Sequence, residues 1–514
     1  MHFVTAEEMR RLDNKTISEC GVPGVVLMEN AGRGAAVLAQ EHFGLLTGRS
    51  IAVISGRGNN GGDGFVMARV FHGWGAHVRI YLLGSRDQVN GDARINLEIA
   101  FKLDLEIVEV SEDSGPDLID LSNADMIIDA ILGTGLNAEV RGLYREVIDR
   151  INKSGRTVVA VDVPSGLDSD TGRIWGSCVR ADLTVTFGLP KAGLFLPPGE
   201  VLVGRLEVVD IGIPPQVMAE IGQTRELLLE DNLKGLLKSR DLDGHKGHYG
   251  HVLIVAGSTG KTGAAALTSL AAAKSGAGLT TLAVPGSLNT VLEEKVTEVM
   301  TEPLPESEPG YLAPNAIDRI LELAEGKSVL ALGPGISTQP GSIEVVRGLV
   351  EHCELPLVID ADGLNALAGS TDLLKKAKRE VVLTPHPGEM SRLAGMTVIE
   401  IQSNRLSSAV DFAKAHGVVL ILKGYRTVIG VPDGRTFLNT TGGPHMASGG
   451  MGDVLTGIVA GLVSQGLSVT DASRLGVFIH GLAADEAAAA KGPIGLLASD
   501  LLAWLSGLWS RFIA

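Results

Sequence analysis

Short apolar segments that each end in a glycine-rich or polar turn recur along the whole chain, and they limit the folds that it can adopt. SIAVIS begins at Ser50, TVVAV at Thr157, HVLIV at His251 and VVLIL at Val418. Continuous apolar runs of this length are typical of strands covered on both faces, and the stretches between them have the length of helices. We therefore predict an α/β fold with parallel sheets between layers of helices. Ligands of such sheets bind beyond the carboxyl ends of the strands, where the polar turns lie.

Two domains are expected, because 514 residues are too many for one hydrophobic core. The alternating pattern stops after Ile213 and two prolines, and it resumes at His251. We place the domains at residues 1–218 and 225–514. The motifs of the two halves differ, which favours a fusion of two enzymes over a duplication.

Composition excludes several classes of partner. The net charge of -16 argues against a nucleic-acid or anionic-membrane surface, and no apolar run is long enough to span a bilayer. Three scattered cysteines indicate a reducing compartment without disulfides, so we expect a cytoplasmic protein. Its Ala- and Gly-rich helices are suited to close packing between subunits, and we expect a homo-oligomer.

The first glycine-rich turn follows SIAVIS and reads GRGNNGGDG. Gly56, Gly58 and Gly61 match the G-x-G-x-x-G pattern of dinucleotide folds. The next strand, HVRIYLLG, ends without the acid that would hold a ribose diol, so a dehydrogenase-type site is excluded. The oxygen-bearing side chains within residues 59–63 point instead to a small cation or a polar substrate. The alternative is a tight turn with asparagines in the left-handed conformation.

Two more strands of this half end in carboxylates. Asp129 ends DMIIDA, and Asp162 ends TVVAVD shortly before Ser165. Oxygens of Asn60, Asp129 and Ser165 would suit a monovalent cation if they converge, since they carry little charge. Asp162 then remains as an acid/base candidate. Taken singly, Asp129 could equally cap the following turn.

The strings NNGGDG, DAILGTG and VDVPSGLD resemble the NAD(P)HX epimerase domain, also called the YjeF N-terminal domain, over roughly residues 1–215. That resemblance implies a Rossmann-like sandwich that interconverts the R and S hydrates of NADH and NADPH. It implies Asp162 as the catalytic acid/base and Asn60, Asp129 and Ser165 as potassium ligands. The implied contacts to the hydrate are Asn59, Asn60, Gly61, Gly62, Asp63, Gly133, Thr134, Gly135, Leu136, Asn137, Ala138, Glu139 and Asp162.

The most informative stretch of the second half is ASGGMGDVLTG, which begins at Ala447. It places a glycine-rich turn at the start of an apolar helix, where backbone N–H groups and the helix dipole attract an anion. Asp453 lies within this turn. A carboxylate in an anion site is expected to take a proton there, so the turn predicts phosphoryl transfer with a built-in base. The alternative is an ordinary turn whose Asp caps the helix.

Four further strand ends of this half carry polar groups. Asp360 and Asp362 follow one strand, His386 another and Lys423 a third, and GPGIS forms a turn at Gly333. Convergence at one sheet edge favours a single site. The run HVLIVAGSTGKTG lacks the first glycine of a P-loop. The three histidines of HKGHYGH could bind a metal, but a solvated loop is the favoured interpretation, because no acid or cysteine joins them.

These motifs resemble the ribokinase-like fold, and PHPGEM, GPGI, VIDADGLNAL and GGMGDVLTG resemble the ADP-dependent NAD(P)HX dehydratase, or YjeF C-terminal domain, over roughly residues 225–514. The resemblance implies ADP as co-substrate, Mg²⁺ as cofactor and Asp453 as catalytic base. Two residues depart from it. Met451 stands where relatives commonly have Ser or Thr, and His445 stands where they commonly have Gly. The implied hydrate contacts are Ala264, Gly335, His386 and Asp453; the implied nucleotide contacts are Lys423, Gly424, Tyr425, Arg426, Thr427, Gly449, Gly450 and Gly452.

Together the two resemblances imply a bifunctional NAD(P)H-hydrate repair enzyme whose partners are NADHX, NADPHX and ADP. The main rival is a ribokinase-class small-molecule kinase in the second half, joined to a nucleotide-binding first half. A kinase would leave phosphate on its product, whereas a dehydratase would release it. A non-catalytic nucleotide-binding or scaffold role would leave Asp162 and Asp453 idle.

Overall fold

A computed structural model describes residues 1–220, 222 and 224–514. The chain forms two compact units, one of His2–Gln223 and one of Thr224–Ala514 together with Met1. Each has its own sheet and core. No helix in the described part of the chain is both long enough and apolar enough to cross a membrane.

The N-terminal unit is built on one seven-stranded sheet with the order β3-β2-β1-β4-β5-β6-β7, and every neighbouring pair is parallel. The strands are β1 Ser50–Ser55, β2 His77–Leu83, β3 Glu106–Val110, β4 Met126–Ala130, β5 Thr157–Val161, β6 Leu183–Phe187 and β7 Arg205–Val209. The helices are α1 Ala6–Ser18, α2 Gly24–Phe43, α3 Asn59–Gly73, α4 Gly91–Lys102, α5 Gly142–Lys153 and α6 Pro215–Ala219.

Strand β1 shows why the sequence pattern predicts a sheet covered on both sides. Ile51 and Val53 lie in one hydrophobic core, whereas Ala52 and Ile54 lie in the core on the opposite face. Successive side chains of a strand alternate between faces, so a strand buried on both must be apolar throughout.

Helix α1 begins with a capping box that the sequence pattern also predicts. Thr5 is the N-cap and accepts a hydrogen bond from the backbone N–H of Glu8, and the Glu8 carboxylate accepts one in return from the Thr5 N–H. The box fixes the start of α1.

The C-terminal unit is built on a ten-stranded sheet with the order β11-β10-β9-β14-β15-β16-β17-β18-β19-β8. Its strands are β8 Arg225–Leu228, β9 His251–Val255, β10 Leu279–Pro285, β11 Met300–Leu304, β14 Val329–Leu332, β15 Leu357–Ile359, β16 Val381–Leu383, β17 Val419–Leu422, β18 Val428–Gly430 and β19 Thr436–Asn439. A separate antiparallel pair is formed by β12 Glu306–Glu308 and β13 Tyr311–Leu312.

The helices of this unit are α7 Thr262–Lys274, α8 Asn289–Lys295, α9 Ala316–Ala324, α10 Pro340–His352, α11 Asp362–Leu367, α12 Pro387–Ala394, α13 Val398–Ser403, α14 Arg405–His416, α15 Met451–Ser464, α16 Val469–Lys491 and α17 Ala498–Leu508. In the sheet order from β11 through β10, β9 and β14 to β17, all neighbouring strands are parallel, and β18 is antiparallel to both of its neighbours. Strand β8 comes from a stretch that the sequence pattern leaves unassigned, and it pairs with β19 in parallel.

Helix α15 lies unusually close to α7. A Cβ on Gly457 would overlap the Thr268 carbonyl oxygen, and one on Gly461 would lie 2.7 Å from the Ala272 carbonyl oxygen. Glycine on one helix and alanine on the other permit this approach. The core that α7, α15, α16 and α17 share with the sheet therefore holds the start of α15 in a fixed place.

Candidate functional sites

The N-terminal unit has a pocket of about 900 Å³ at the carboxyl ends of its strands. Of the thirteen contacts that the sequence implies, eleven line it: Asn59, Asn60, Asp63, Gly133, Thr134, Gly135, Leu136, Asn137, Ala138, Glu139 and Asp162. Gly61 and Gly62, which belong to the same first turns of α3 as Asn59, Asn60 and Asp63, do not line it. A pocket of this size suits a nucleotide-sized ligand.

The segment of residues 59–63 is not the turn that the sequence suggests. It forms the first turns of α3, whose N-cap is Gly58, and neither Asn59 nor Asn60 is left-handed. Gly61 is required for packing, because a Cβ there would overlap the Gly56 carbonyl oxygen. The strand-to-helix connection is thus shorter than the glycine pattern predicts, and α3 aims its N-terminus at the pocket.

Asp162 directly follows β5 and has a left-handed backbone with φ 65°. Its Oδ1 accepts hydrogen bonds from Lys191 Nζ at 2.5 Å and from Thr186 Oγ at 2.9 Å. The Lys191 side chain is only 1% exposed, and its ammonium also donates to Thr186 Oγ and to the Phe187 carbonyl oxygen. A carboxylate held in this way is fixed in position at the pocket wall.

Two more carboxyl groups line the pocket beside this pair. Burial raises the pKa of Asp13 to about 6, opposed by Lys191 and reinforced by Asp162. Burial also raises the pKa of Asp63 well above its usual value, with a further contribution from Asp162. Perturbed acids that cluster in one cleft are typical of sites that move protons.

Asp129 is fully buried behind the pocket and has an ordered set of donors. Ser165 Oγ donates to Asp129 Oδ1 at 2.6 Å, and the Ser165 N–H donates to Oδ2 at 2.8 Å. Burial raises the pKa of Asp129 to about 6, and these bonds oppose the rise. The Leu132 N–H binds Ser165 Oγ, and Asn60 Oδ1 lies beside Gly133. All three predicted potassium ligands therefore border the loop of residues 131–133.

In the C-terminal unit, α15 begins immediately after Gly450, which is its N-cap with φ 90°. Asp453 lies in the first turn of that helix. Burial raises the pKa of Asp453 to about 7, reinforced by Asp360, Asp362 and Glu389 and opposed by Lys423. The free N–H groups of a first helical turn attract anions. An acid poised near neutral pH inside such a turn can accept a proton.

Lys423 is the central cation of this site. Its Nζ lies 2.6 Å from Asp360 Oδ1 and 3.8 Å from Glu389 Oε2. Thr456 of α15 donates to the other Asp360 oxygen at 2.9 Å. Burial tends to raise the pKa of Asp360, but Lys423 and the hydroxyl donors hold it below the usual value. Gly452 faces this pair closely, because a Cβ there would lie 3.1 Å from Lys423 Nζ.

The predicted hydrate contacts converge on the same edge. His386 caps α12, and its Nε2 lies 3.4 Å from Glu389 Oε1, which connects it to Lys423. A Cβ on Gly335 would lie 3.2 Å from Ala264 Cβ. These two residues adjoin Lys261, whose Nζ donates to Asp362 at 2.8 Å.

The predicted nucleotide loop, residues 423–427, follows β17. Its backbone is hydrogen-bonded to Arg405, a buried side chain of α14. One guanidinium nitrogen of Arg405 donates to the carbonyl oxygens of Leu422, Lys423 and Arg426 at 3.1, 3.3 and 3.4 Å. Burial lowers the pKa of Arg405 to about 10, so it stays charged at neutral pH. The loop is therefore positioned by a cation that faces backbone dipoles.

Met451 and His445, the two residues that depart from the family pattern, both lie away from the open side of the turn. Met451 is 7% exposed and packs into the core under α15, so it takes no part in an open hydroxyl site. His445 Nε2 lies 3.0 Å from Asp485 Oδ1, outside the turn. Neither side chain blocks the N–H groups of the turn.

The three histidines of HKGHYGH do not form a metal site. His245 and His248 stack with ring centres 3.7 Å apart, whereas His251 lies in β9 and hydrogen-bonds to Thr281. Among the described residues, no group of three or more His, Cys, Asp or Glu side chains could hold a metal ion. The solvated-loop interpretation fits His245 and His248 but not the partly buried His251.

Sequence reasoning missed Asp13, Lys191 and Arg405. Lys191 follows an apolar strand in the string FGLPKAG, so its place at a strand end was a usable signal. Asp13 and Arg405 lie in ordinary helical patterns. Their roles arise from contacts with residues far away in the chain, which no local pattern encodes.

Comparison with known proteins assigns a family to each half of the chain. A family model described as YjeF-related protein N-terminus matches residues 24–193, and one described as NAD(P)H-hydrate dehydratase matches residues 252–506. The bifunctional NAD(P)H-hydrate repair enzyme Nnr of Moorella thermoacetica is 47% identical, with 98% of this chain and 96% of that protein covered. The Escherichia coli protein of the same name is 34% identical, with 97% and 92% covered.

Among solved structures, the ADP/ATP-dependent NAD(P)H-hydrate dehydratase of Bacillus subtilis is 30% identical, with a TM-score of 0.48 over 56% of this chain and 98% of that one. The predicted α/β architecture with two domains is confirmed. The match at 47% identity covers 98% of this chain and therefore spans both halves. The chain belongs to the family of bifunctional NAD(P)H-hydrate repair enzymes.

Proposed function

We propose that this chain repairs hydrated nicotinamide cofactors in two steps. The N-terminal unit interconverts the R and S epimers of NADHX and NADPHX, and the C-terminal unit dehydrates the S epimer with ADP. Family membership supports both activities. The observation that carries the proposal is the placement of Asp453, an acid with a pKa of about 7, in the N-terminal turn of α15 beside Lys423.

The epimerisation uses the reactivity of ring carbon 6, which bears a hydroxyl group next to the ring nitrogen. Loss of that oxygen, assisted by the nitrogen lone pair, gives a planar carbon, and return of water to the other face inverts it. Asp162 is positioned for the proton transfer, because Lys191 and Thr186 bind one of its oxygens and fix the carboxylate at the pocket wall. The positive first turn of α3 favours a nucleotide phosphate at the same pocket.

Potassium fits the site behind this pocket. Asp129 is buried with hydrogen-bond donors but no basic partner in its described contacts, so a cation would neutralise it. Asn60, Asp129 and Ser165 would hold the ion with oxygen donors only. When bound, it would order the loop of residues 131–133, which forms one wall of the pocket.

In the dehydration, Asp453 takes the proton of the ring hydroxyl as the terminal phosphoryl group of ADP transfers to that oxygen. N–H groups of Gly449–Gly452 and the Lys423 ammonium face the phosphoryl charge. Phosphate is a far better leaving group than hydroxide. The ring nitrogen expels it, and loss of a proton from carbon 5 restores the dihydronicotinamide, with AMP and phosphate as by-products.

Magnesium fits as an ion carried by the nucleotide. The described residues offer no cage of three acidic or imidazole ligands, and Mg²⁺ is commonly held by phosphates with one or two carboxylates. Glu389, whose Oε2 lies 3.8 Å from Lys423 Nζ, is a carboxylate on this edge that could complete its coordination. The ion would offset phosphate charge during transfer.

The test supplies R-NADHX, ADP and Mg²⁺ and follows the absorbance of the reduced cofactor together with free phosphate. Wild-type protein should release one phosphate for each NADH restored. Asp453→Asn should abolish this, whereas Asp411→Asn, an exposed acid of α14, should not change it. A phosphorylated product without NADH would establish the kinase instead.

The remaining predictions on assembly and location rest on the same proposal. We expect a homo-oligomer without nucleic-acid partners, located in the cytoplasm. Light scattering of the purified protein measures the oligomeric state, and a monomer at micromolar concentration would contradict the expected homo-oligomer.

A further inference from the structure

The cluster that faces the N-terminal pocket contains one carboxyl group with an unusual environment. Asp13 of α1 lines the pocket, and its Oδ1 is buried without a hydrogen-bond partner among the described residues. Lys191 is close enough to act on it electrostatically. However, the three N–H groups of Lys191 are already directed to Asp162, Thr186 and the Phe187 carbonyl oxygen. Asp13 is thus left next to a cation that does not bind it.

An unpartnered buried carboxylate is costly, and structural acids are normally satisfied. The groups that face Asp13 come from three other elements: Lys191 after β6, Asp162 after β5 and Asp63 in α3. Only the lysine is a cation. The arrangement places three carboxyl groups near one ammonium beside the pocket, and Oδ1 of Asp13 is buried without a hydrogen-bond partner among the described residues.

Inversion at carbon 6 needs proton transfer at two places. The leaving hydroxyl departs from one face with a proton, and water arrives at the opposite face and gives up a proton. A single carboxylate fixed at one wall reaches one face more readily than both. We propose that Asp13 is the second acid/base residue of the epimerase, which works together with Asp162 on the nicotinamide ring. This rests on the proposed function of the N-terminal unit.

In the forward direction, protonated Asp13 gives its proton to the leaving hydroxyl, the C6–O bond breaks, and the nitrogen lone pair forms C6=N1⁺. Water then adds at C6, and Asp162 accepts its proton. In the reverse direction the two residues exchange roles. The pair holds one proton before and after the reaction and none while the C6=N1⁺ intermediate exists. Proton exchange with solvent returns the proton from Asp162 to Asp13 before the next forward turnover, and no oxidant or reductant is needed. Burial raises the pKa of Asp13 to about 6, which supports a proton-bearing role near neutral pH.

The test follows interconversion of purified R- and S-NADHX by chromatography, above the spontaneous rate, between pH 5 and 9. Wild-type kcat/KM should fall as the pH rises through about 6, because Asp13 loses its proton. Asp13→Asn should reduce kcat by about 100-fold or more and remove that fall. Glu7→Gln, an exposed acid of the same helix, is the matched control and should behave as wild type.

Asp13→Asn with a rate close to wild type, or with the pH-dependent fall intact, would overturn the proposal. Loss of the fall in Asp63→Asn alone would assign the role to Asp63 instead and also overturn it. If Asp13→Asn unfolds the unit, Asp13→Glu decides: a loss of about 10- to 100-fold with a displaced pH limb supports the proposal, and an unchanged profile refutes it. Wild-type protein that does not exceed the spontaneous rate would refute the epimerase function itself, not the role of Asp13.

Discussion

Lys423 Nζ lies 2.6 Å from Asp360 Oδ1, and the Asp360 side chain is only 1% exposed. The strand ends that carry these residues are two strands apart in the sheet. The contact joins the end of β17 to the end of β15, directly beneath the first turn of α15. One ion pair therefore ties the nucleotide loop to the part of the site that holds the catalytic base.

Lys423→Met should destabilise the C-terminal unit by roughly 3–5 kcal/mol, because it leaves Asp360 buried and uncompensated. Adding Asp360→Asn should recover most of that loss without restoring activity. Calorimetry measures both, and the unfolding of the N-terminal unit serves as an internal reference. A Lys423→Met protein as stable as wild type would show that Asp360 is not held as an anion.

The dehydratase rate should rise with pH through about 7, the pKa to which burial raises Asp453, because the base must first lose its proton. The free energy of unfolding should change with pH in the opposite direction to the rate. A carboxyl group whose pKa is higher in the folded state binds protons more tightly there, so stability falls as the pH rises from about 4 to 7. Asp453→Asn should therefore be more stable than wild type above pH 7, on the order of 1 kcal/mol, and inactive. Rate profiles and denaturant titrations check the two effects.

Arg405→Met should raise the KM for ADP by about tenfold and leave the kcat and the KM for the hydrate nearly unchanged. The physical reason is that two carbonyl oxygens of the nucleotide loop and that of Leu422, at the end of β17, would lose their common donor. Lys414→Gln, an exposed cation of the same helix, provides the control. Equal losses in all kinetic constants would indicate general unfolding and not a displaced loop.

Potassium should stabilise the N-terminal unit only where Asp129 is ionised. Burial raises the pKa of Asp129 to about 6, so protons compete with the cation below that value. Melting temperatures in potassium chloride and in choline chloride of equal ionic strength should differ at pH 8 and coincide at pH 5. The difference should vanish in Asp129→Asn. A potassium effect that survives in that variant would place the ion elsewhere.

Much of the fold follows from local pattern, because a strand buried on both faces must be apolar at every position and must end in a polar turn. This is why β1, β5 and β9 were predictable from the sequence. Strand β8 was not, since RELL has no such run and gains its place only by pairing with β19. The start of α3 was misjudged because glycines that serve helix packing have the same pattern as glycines of a turn.

For the sites, local motifs supply the groups that touch ligands but not those that hold them. Asp162 and Asp453 stand at recognisable strand or helix ends. Lys191 lies 29 residues after Asp162, and Arg405 lies 18 residues before Lys423. Such partners become visible only when the sheet order brings distant strand ends together.

The left-handed backbone of Asp162 restricts which mutations can persist at that position. With φ at 65°, only Gly, Asn and Asp adopt the conformation at low cost. Of these, Asn keeps the shape and loses the proton transfer. A descendant of this chain that gave up epimerisation and kept its fold would therefore be expected to carry Asn or Gly here. The residue at position 162 in a related sequence would therefore indicate whether the epimerase activity has been lost.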